Sequence, residues 1–323
     1  MKQRSQKLTE GVYYQTQTSY SSMKKLSEEG EYLNEPKMLF GPYVPEEGLI
    51  HFPSQRGVGK SWLCMQLCIA VAGEWDSFLG EQINLHGNTL YINHELTANT
   101  MRRRSKRLYQ HLPHPVGDQF KAMVFTTRAG LENELISLAG IVQKLQPRLI
   151  VLDNLRMAFT ASDTNNNKET TRIMNMLLAF CDTSKAALIF TDHFRKHSSG
   201  QLTDSDLQSG SGIKTDLADG DFFLRRSCQD KNLRILKRGK SRHFEESESA
   251  KLIRLNPQTL WFELVEDDVN EAEHVGISGL KEKDEQKDMA QTLRSQGKNI
   301  MEIAKILGKG KSTIHRWLKI DDT

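Results

Sequence analysis

The chain has 323 residues, of which 37% are hydrophobic and 26% charged, and its formal net charge at pH 7 is +3. This composition is typical of a globular protein with some solvated segments, and no apolar run is long enough to span a bilayer. The first seven residues are polar and lack the apolar centre of a secretion signal, and the four cysteines and ten histidines have neither disulfide nor zinc-site spacing. We therefore expect a cytoplasmic protein without a membrane partner.

Residues 1–40 are rich in Ser, Gln, Lys and Glu and have weak periodicity, which predicts a flexible or lightly packed arm. From residue 41 to 265, apolar strands alternate with helical segments, the pattern of a parallel sheet covered on both faces. The predicted strands of this part are 49–52, 88–93, 120–125, 149–153 and 186–191, and the predicted helices are 62–72, 98–111, 131–145 and 168–182. Four further strands, near 221–224, 233–236, 251–255 and 260–264, are predicted to be antiparallel and to complete the sheet.

The segment 53–61, Pro-Ser-Gln-Arg-Gly-Val-Gly-Lys-Ser, separates the first of these strands from the first helix. Two glycines before Lys-Ser let successive N–H groups and a helix N-terminus face an anion, as in a phosphate-binding loop. Ser54 stands where the motif has its first glycine, which loosens the match without removing a phosphate-contacting group. A glycine-rich turn before a core helix is the plainer alternative, but the strand–loop–helix context favours a nucleotide site. Its predicted binding residues are Gly57, Val58, Gly59, Lys60, Ser61 and Trp62, with Lys60 neutralising phosphate charge and the Ser61 hydroxyl coordinating Mg²⁺.

Two acidic residues at strand ends are the next candidates. Asp153 closes an apolar strand, where a carboxylate could hold the water shell of Mg²⁺. Glu95 follows the strand that ends at Asn93, at the edge where a parallel sheet collects ligand-contacting groups. Glu95 could activate the water that attacks a γ-phosphate, although it could also be a helix cap or a surface charge.

The order of the phosphate loop, Glu95, Asp153 and the segment Leu188-Ile189-Phe190-Thr191-Asp192-His193 resembles the RecA-type ATPases. It is most similar to the RepA-like hexameric helicases of plasmids and their KaiC/DnaB-like relatives, over about residues 40–265. The resemblance implies that Glu95 is the catalytic base, that Asp153 is the Mg²⁺ ligand and that His193 senses the γ-phosphate. It also implies that residues 194–215 line a central pore and contact DNA. Without the resemblance, His193 could simply cap a strand.

Two groups of basic residues have open interpretations. Lys237, Arg238, Lys240 and Arg242 are predicted on a turn after a late strand. In ring-forming relatives this region supplies a cation to the neighbouring subunit's nucleotide, although a solvated hairpin tip is as good an interpretation for any single residue. The helix that contains 101–107 has five positive charges, which suit either a solvated face or a phosphate-contacting surface.

The charge reverses near the end of the chain. Residues 266–288 contain nine acidic and three basic residues, a net charge of −6, whereas residues 289–320 contain seven basic residues and one acid, a net charge of +6. This predicts an acidic linker at 266–286 and a basic module at 287–323. Three short helices with glycine at the turn predict a helix-turn-helix, and the module resembles the DNA-binding domain of serine recombinases, with Gly310 where such motifs usually have a capping serine. The residues expected to face DNA are Lys309, Lys311, Ser312, Thr313, His315 and Arg316, although a helical module for protein contacts is the alternative.

The sequence thus predicts an α/β fold: a RecA-like core with a mainly parallel sheet and antiparallel C-terminal strands, followed by a small all-α helix-turn-helix domain. We expect an ATP- and Mg²⁺-dependent ring, a hexamer, with single-stranded DNA through the ring and duplex DNA on the helix-turn-helix. A RepA-like helicase or DNA-loading motor in plasmid or mobile-element replication is the first hypothesis. An ATP-switched DNA-binding regulator is the second, and a kinase is a weaker third.

Overall fold

A computed structural model describes residues 21–31, 37–159, 166–193, 212–242, 249–274 and 277–318; the side chains of 135, 240, 249, 277–285, 312 and 316 are outside this description. The predicted arm up to residue 20 and the predicted pore segment 194–211 therefore lie outside the described residues. The chain divides into two compact units, Met1–Val269 and Asn270–Thr323. None of the described helices is both long and apolar enough to cross a membrane.

The first unit alternates helices and strands along the chain. In order, its elements are α1 (Met23–Gly30), β1 (Met38–Phe40), β2 (Val44–Pro45), β3 (Leu49–Ser54), α2 (Lys60–Ala72), β4 (Ser77–Phe78), β5 (Glu81–Gln82), β6 (Thr89–Asn93), α3 (Ala98–Gln110), β7 (Ala122–Thr126), α4 (Leu131–Leu145), β8 (Leu149–Asp153), α5 (Leu155–Ala158), α6 (Asn167–Ser184), β9 (Ala187–His193), α7 (Ile213–Leu217), β10 (Gly220–Arg226), β11 (Leu233–Ser241), β12 (Ser249–Leu255) and β13 (Phe262–Asn270).

A nine-stranded sheet organises this unit, in the spatial order β13-β12-β11-β10-β3-β9-β8-β6-β7. In this order, β10, β3, β9, β8, β6 and β7 form consecutive parallel pairs, whereas β11 pairs antiparallel with both β10 and β12. The predicted α/β fold, a mainly parallel sheet with antiparallel C-terminal strands, is thereby confirmed.

Alternate residues of the central strands enter the two cores on opposite faces of the sheet. In β8, for example, Leu149 and Val151 join the core under α2, and Ile150 and Leu152 join the core under α4 and α6. Both sets are apolar because both faces are covered, so these strands are continuous hydrophobic runs in the sequence. The register aligns Asn93 with Asp153 and Ser54 with His193, which brings four carboxyl-terminal strand ends to one edge of the sheet.

The second unit begins at Asn270 and contains four helices, α8 (Glu271–His274), α9 (Ile277–Ser295), α10 (Ile300–Leu307) and α11 (Lys311–Leu318). Its core is formed by Ala290, Ile303, Ala304, Ile314 and Trp317. Asn299 begins α10 with a capping box to Glu302, and Gly308 ends it at φ +63°, a left-handed conformation that glycine adopts without a Cβ penalty. The stretch predicted as an acidic linker contains the end of β13, all of α8 and the first half of α9. The sequence-based domain boundaries stay predictions.

Candidate nucleotide-binding site

The loop between β3 and α2 has the backbone shape that its glycines predict. Gly57 has φ +72° and Gly59 has φ +108°, and Lys60 is the first residue of α2. A Cβ atom on Gly59 would lie 2.8 Å from Cζ of Phe262, so the position requires glycine for space as well as for conformation. Ser54 is the buried last residue of β3, where the backbone is extended and no glycine is needed.

The Lys60 side chain is buried at the carboxyl edge of the sheet. Its ammonium donates a hydrogen bond to the main-chain carbonyl of Asp192 at the end of β9. Burial lowers the pKa of Lys60, and the charges of Asp153, Asp192 and Glu95 oppose this shift. Burial disfavours the charged form of this lysine, so a phosphate group bound beside it would stabilise the ammonium further.

Asp153 is buried and holds two hydroxyl groups. The Tyr91 hydroxyl donates to one of its carboxylate oxygens, and Thr191 Oγ1 donates to the other at 2.6 Å. Burial raises the pKa of Tyr91 well above its ordinary value, and the charge of Asp153 adds to this effect. Tyr91 and Thr191 therefore orient the Asp153 carboxylate, and neither was singled out from the sequence, because their roles depend on strand register.

Glu95 lies beyond the end of β6 and is held by a residue from the neighbouring strand end. Asn154 Nδ2 donates to Glu95 Oε2 at 2.7 Å, and Asn154 Oδ1 accepts from the main-chain N–H of Met157 at 3.0 Å. The second bond makes Asn154 the cap of α5 and fixes which end of the amide faces Glu95. Sequence reasoning missed Asn154, although its position directly after Asp153 was a usable signal.

His193 is half-buried at the end of β9, beside the loop. Its main-chain N–H donates to Asp192 Oδ1 at 2.8 Å, and its Nδ1 is buried without a partner among the described residues. Burial lowers the pKa of His193, with a further contribution from the Lys60 charge. The ring is therefore neutral at pH 7 and has a hydrogen-bonding nitrogen to offer.

A buried ion pair supports the same strand end. Lys214 of α7 donates to Asp192 Oδ2 at 2.5 Å, and both side chains are less than a tenth exposed. Burial raises the pKa of Asp192, but the Lys214 charge, the His51 charge and the hydrogen bonds from Lys214 and the His193 N–H together outweigh it, so the pKa is below its ordinary value. His51 of β3 stacks on Phe190 with ring centroids 4.7 Å apart, and burial lowers its pKa to about 3. These residues were also missed by sequence reasoning.

The remaining predicted nucleotide and basic residues have mixed environments. The half-buried Trp62 ring has the Arg104 guanidinium 4.7 Å from its centroid, so one of the five basic residues of 101–107 packs on the helix after the loop. Arg107 donates to the carbonyls of Pro257 and Gln258, at 3.3 and 3.0 Å. Arg102 donates to Asn99 Oδ1 at 2.8 Å. Three of the five charges thus have partners within the first unit, and this favours neither a purely solvated face nor a free phosphate-contacting surface.

The segment 237–242 was predicted as a turn with a cation for the neighbouring subunit's nucleotide, but most of it is a strand. β11 continues to Ser241, with Lys237 opposite Phe223 and Arg238 opposite Phe222. The interpretation as a turn was wrong because antiparallel pairing to β10 extends the strand through its charged residues. Arg242 follows the strand and is bound by its own chain, to Asp219 Oδ1 at 3.1 Å and to the carbonyl of Asp216 at 3.1 Å. The side chain of Lys240 is outside the description.

The candidate DNA-contacting residues lie at the turn between α10 and α11. Lys309, Lys311 and His315 are exposed and Thr313 is half-buried; the side chains of Ser312 and Arg316 are not described. Lys311 Nζ lies 2.9 Å from Met301 Sδ. The carbonyl of Gly310 accepts from the N–H groups of Thr313 and Ile314, so main-chain hydrogen bonds form the first turn of α11.

Comparison with known proteins agrees with this geometry. The sequence model of the AAA domain family matches residues 24–199, just over half of the chain. Among solved structures, the chain is similar to a KaiC-like protein from the hyperthermophilic archaeon Pyrococcus horikoshii, with a TM-score of 0.51 at 14% identity; the match covers 72% of this chain and 99% of that one. At this identity the similarity shows the fold alone, a RecA-like core. No curated protein sequence matches the chain.

Proposed function

Because the chain belongs to the AAA domain family, we propose that it hydrolyses ATP and couples this reaction to DNA. The observation that carries the proposal is the meeting of four strand ends at one edge of the sheet. That edge brings together the phosphate loop, Lys60, Asp153, Glu95 and His193. A carboxyl edge of this kind is where open α/β sheets bind their ligands.

Binding would use the loop between β3 and α2. The N–H groups of residues 57–61 would surround the phosphate chain, and the Lys60 ammonium would leave the Asp192 carbonyl for a β/γ-phosphate oxygen. The lowered pKa of Lys60 supports this exchange, since a phosphate dianion stabilises the charged amine better than a carbonyl does.

Hydrolysis would use Glu95 as the base for water that attacks the γ-phosphate in line. Asn154 positions this carboxylate through the 2.7 Å hydrogen bond and leaves its other oxygen for water. His193, neutral and with a ring nitrogen that has no partner in the described part of the chain, would donate or accept a hydrogen bond at the γ-phosphate and respond when that group leaves.

The residues present also suit Mg²⁺, which prefers oxygen ligands and shares them with phosphates. The described residues contain no cluster of three or more His, Cys, Asp or Glu that would hold a metal alone. Ser61 and Asp153 supply a hydroxyl and a buried, doubly hydrogen-bonded carboxylate, a sparse set suited to a metal that reaches the site with its nucleotide. When bound, Mg²⁺ would neutralise charge on the phosphates.

The second unit would contact duplex DNA. Three helices around a small core, a left-handed glycine at the turn and exposed Lys309, Lys311 and His315 beside it support a helix-turn-helix. The net charge of +6 over residues 289–320 supports a nucleic-acid partner over a protein partner.

The finer proposal is a hexameric RepA-like helicase or loading motor for a plasmid or mobile element, with single-stranded DNA in the ring. It follows from the resemblance described above. In such a ring Lys237, Arg238, Lys240 or Arg242 would act on the neighbour's nucleotide. Of these, Arg242 would have to exchange its present contacts with Asp219 and Asp216 for such a role.

The test is steady-state ATP hydrolysis by the full chain, with and without single-stranded DNA, for the wild type, Lys60→Ala and Glu95→Gln. Lys60→Ala should lose nucleotide binding. Glu95→Gln should bind ATP normally and hydrolyse it about 10²- to 10⁴-fold more slowly. Faster hydrolysis in the presence of single-stranded DNA supports the motor. Slow hydrolysis at a rate that does not change with DNA supports the nucleotide-switched regulator. Unchanged turnover in Lys60→Ala would refute the site.

A further inference from the structure

The hairpin of β10 and β11 lies beside the phosphate loop. β10 is parallel to β3, with Leu224 opposite Ser54, so β10 ends where the loop begins. Arg226, the last residue of β10, faces Arg234 of β11 across the hairpin. Two cations at directly opposed positions are ordinarily unfavourable, so their placement requires acceptors.

The acceptors are two consecutive carbonyl groups of the phosphate loop. Arg226 Nη2 donates to the Gly57 carbonyl at 2.9 Å, and Arg234 Nε donates to the Val58 carbonyl at 2.7 Å. A Cβ atom on Gly57 would lie 3.2 Å from Arg226 Nη2, so the guanidinium packs closely on the loop.

The two arginines differ in how firmly they are held. Arg234 is buried, and its Nη1 also donates to the carbonyls of Lys231 and Leu233, at 2.6 and 2.8 Å. Arg226 is exposed at the end of its strand. Arg234 is therefore held in place by its hydrogen bonds, whereas the contact of Arg226 with the loop is open to solvent.

The direction of these hydrogen bonds determines where the loop's N–H groups point. In a planar trans peptide the carbonyl and the N–H of the same unit point in opposite directions. Holding the carbonyls of Gly57 and Val58 on the hairpin side turns the N–H groups of Val58 and Gly59 to the other side. A cation on the carbonyl oxygen also polarises the peptide and strengthens its N–H as an anion donor.

We propose that Arg226 and Arg234 are positioning residues that hold the phosphate loop in its anion-binding shape before nucleotide arrives. The proposal rests on the proposed function, since it assigns these residues to the same site. They would act through the loop backbone, so they would affect ATP and ADP alike and would leave the chemical step largely unchanged.

The experiment compares Arg226→Gln with Arg254→Gln in the full chain. Arg254 is a matched control because it is an exposed arginine of the same sheet, on β12, which is separated from β10 by β11. Titration with ATP and with ADP, both with Mg²⁺, should give a Kd for each nucleotide that is roughly tenfold higher in Arg226→Gln and unchanged in Arg254→Gln. KM should rise while kcat stays within about twofold, and Arg226→Lys should recover part of the affinity.

The outcomes separate this inference from the proposed function. If the wild type binds ATP and Lys60→Ala does not, but Arg226→Gln binds like the control, the positioning role is wrong and the site stands. A lower melting temperature of Arg226→Gln without a change in Kd would also overturn it, because that is the signature of hairpin packing alone. If the wild type binds no nucleotide, the proposed function itself fails. Arg234→Gln is a second variant, and the exposed Arg226 provides the test if the buried substitution prevents folding.

Discussion

Asn154 donates a 2.7 Å hydrogen bond to Glu95, and the other end of its amide caps helix α5. One residue thus joins the end of β8 to the carboxylate beyond the end of β6. Because the cap fixes the orientation of the amide, the donor always faces Glu95.

This relationship predicts the pH dependence of Asn154→Asp. The new carboxylate keeps the cap but loses the donor and places a like charge beside Glu95, and two adjacent carboxylates bind a proton more readily than one. A base must be ionised, so the acidic limb of the pH–rate profile should move up by about one pH unit. The measurement is kcat/KM for ATP from pH 5 to 9, with Asn154→Ala as the comparison that removes the donor without adding charge. An acidic limb that stays in place in Asn154→Asp would argue against Glu95 as the base.

The second prediction concerns Gly59→Ala. The left-handed backbone at φ +108° costs about 1–2 kcal/mol for a residue with a Cβ, and that atom would collide with Phe262 at 2.8 Å. We expect a loss of nucleotide affinity and a lower free energy of unfolding. Gly140→Ala is the control, since it lies inside α4 and, apart from the backbone of its own helix, no described atom lies within 4 Å of the new Cβ; it should stabilise the protein by about 0.5–1 kcal/mol. Urea denaturation and ADP titration check both variants, and normal ADP binding by Gly59→Ala would contradict the loop geometry.

The third prediction is that His51 makes the first unit sensitive to acid. Its pKa is about 3 in the fold and near 6.5 in the unfolded chain, so between these values the unfolded state holds one more proton. The free energy of unfolding therefore does not change with pH through His51 above about pH 6.5, and it decreases as the pH falls from about 6.5 toward 3. Between pH 7 and pH 5 the decrease amounts to about 2 kcal/mol. His51→Leu should remove most of this loss, and His111→Leu, at an exposed imidazole, should keep it. Urea denaturation at the two pH values decides; equal losses in the wild type and His51→Leu would exclude His51 as the cause.

The fourth prediction tests the second unit with charge reversal. Lys309→Glu combined with Lys311→Glu should weaken duplex binding by about tenfold or more and reduce its salt dependence, because two phosphate-attracting charges become repulsive. Lys298→Glu, before the start of α10, is the control with the same kind of change at the other end of that helix. Gel-shift titrations at two salt concentrations measure both effects, with basal ATP hydrolysis recorded alongside. Equal affinity of the double variant and the control would remove these lysines from the DNA surface.

Local pattern was enough to predict the secondary structure of the core and the phosphate loop. Buried parallel strands are continuous apolar runs, and a loop such as 53–61 needs particular residues in consecutive positions, so both are visible in the sequence. Glu95 and Asp153 could be selected because one follows and the other ends a strand, and the carboxyl ends of these two strands share an edge. The charged end of β11 was misread as a turn because its pairing with β10 is a property of the sheet.

The sequence by itself determined the α/β alternation, the phosphate loop and the charge reversal near residue 289, because each depends on neighbouring residues along the chain. Only the tertiary structure decided the partners: Asn154 on Glu95, Tyr91 and Thr191 on Asp153, and Lys214 on Asp192. It also decided that Arg226 and Arg234, some 170 residues after the loop, hold its carbonyl groups. Such contacts depend on strand order and register, which arise when distant segments pair, and no local pattern of residues encodes them.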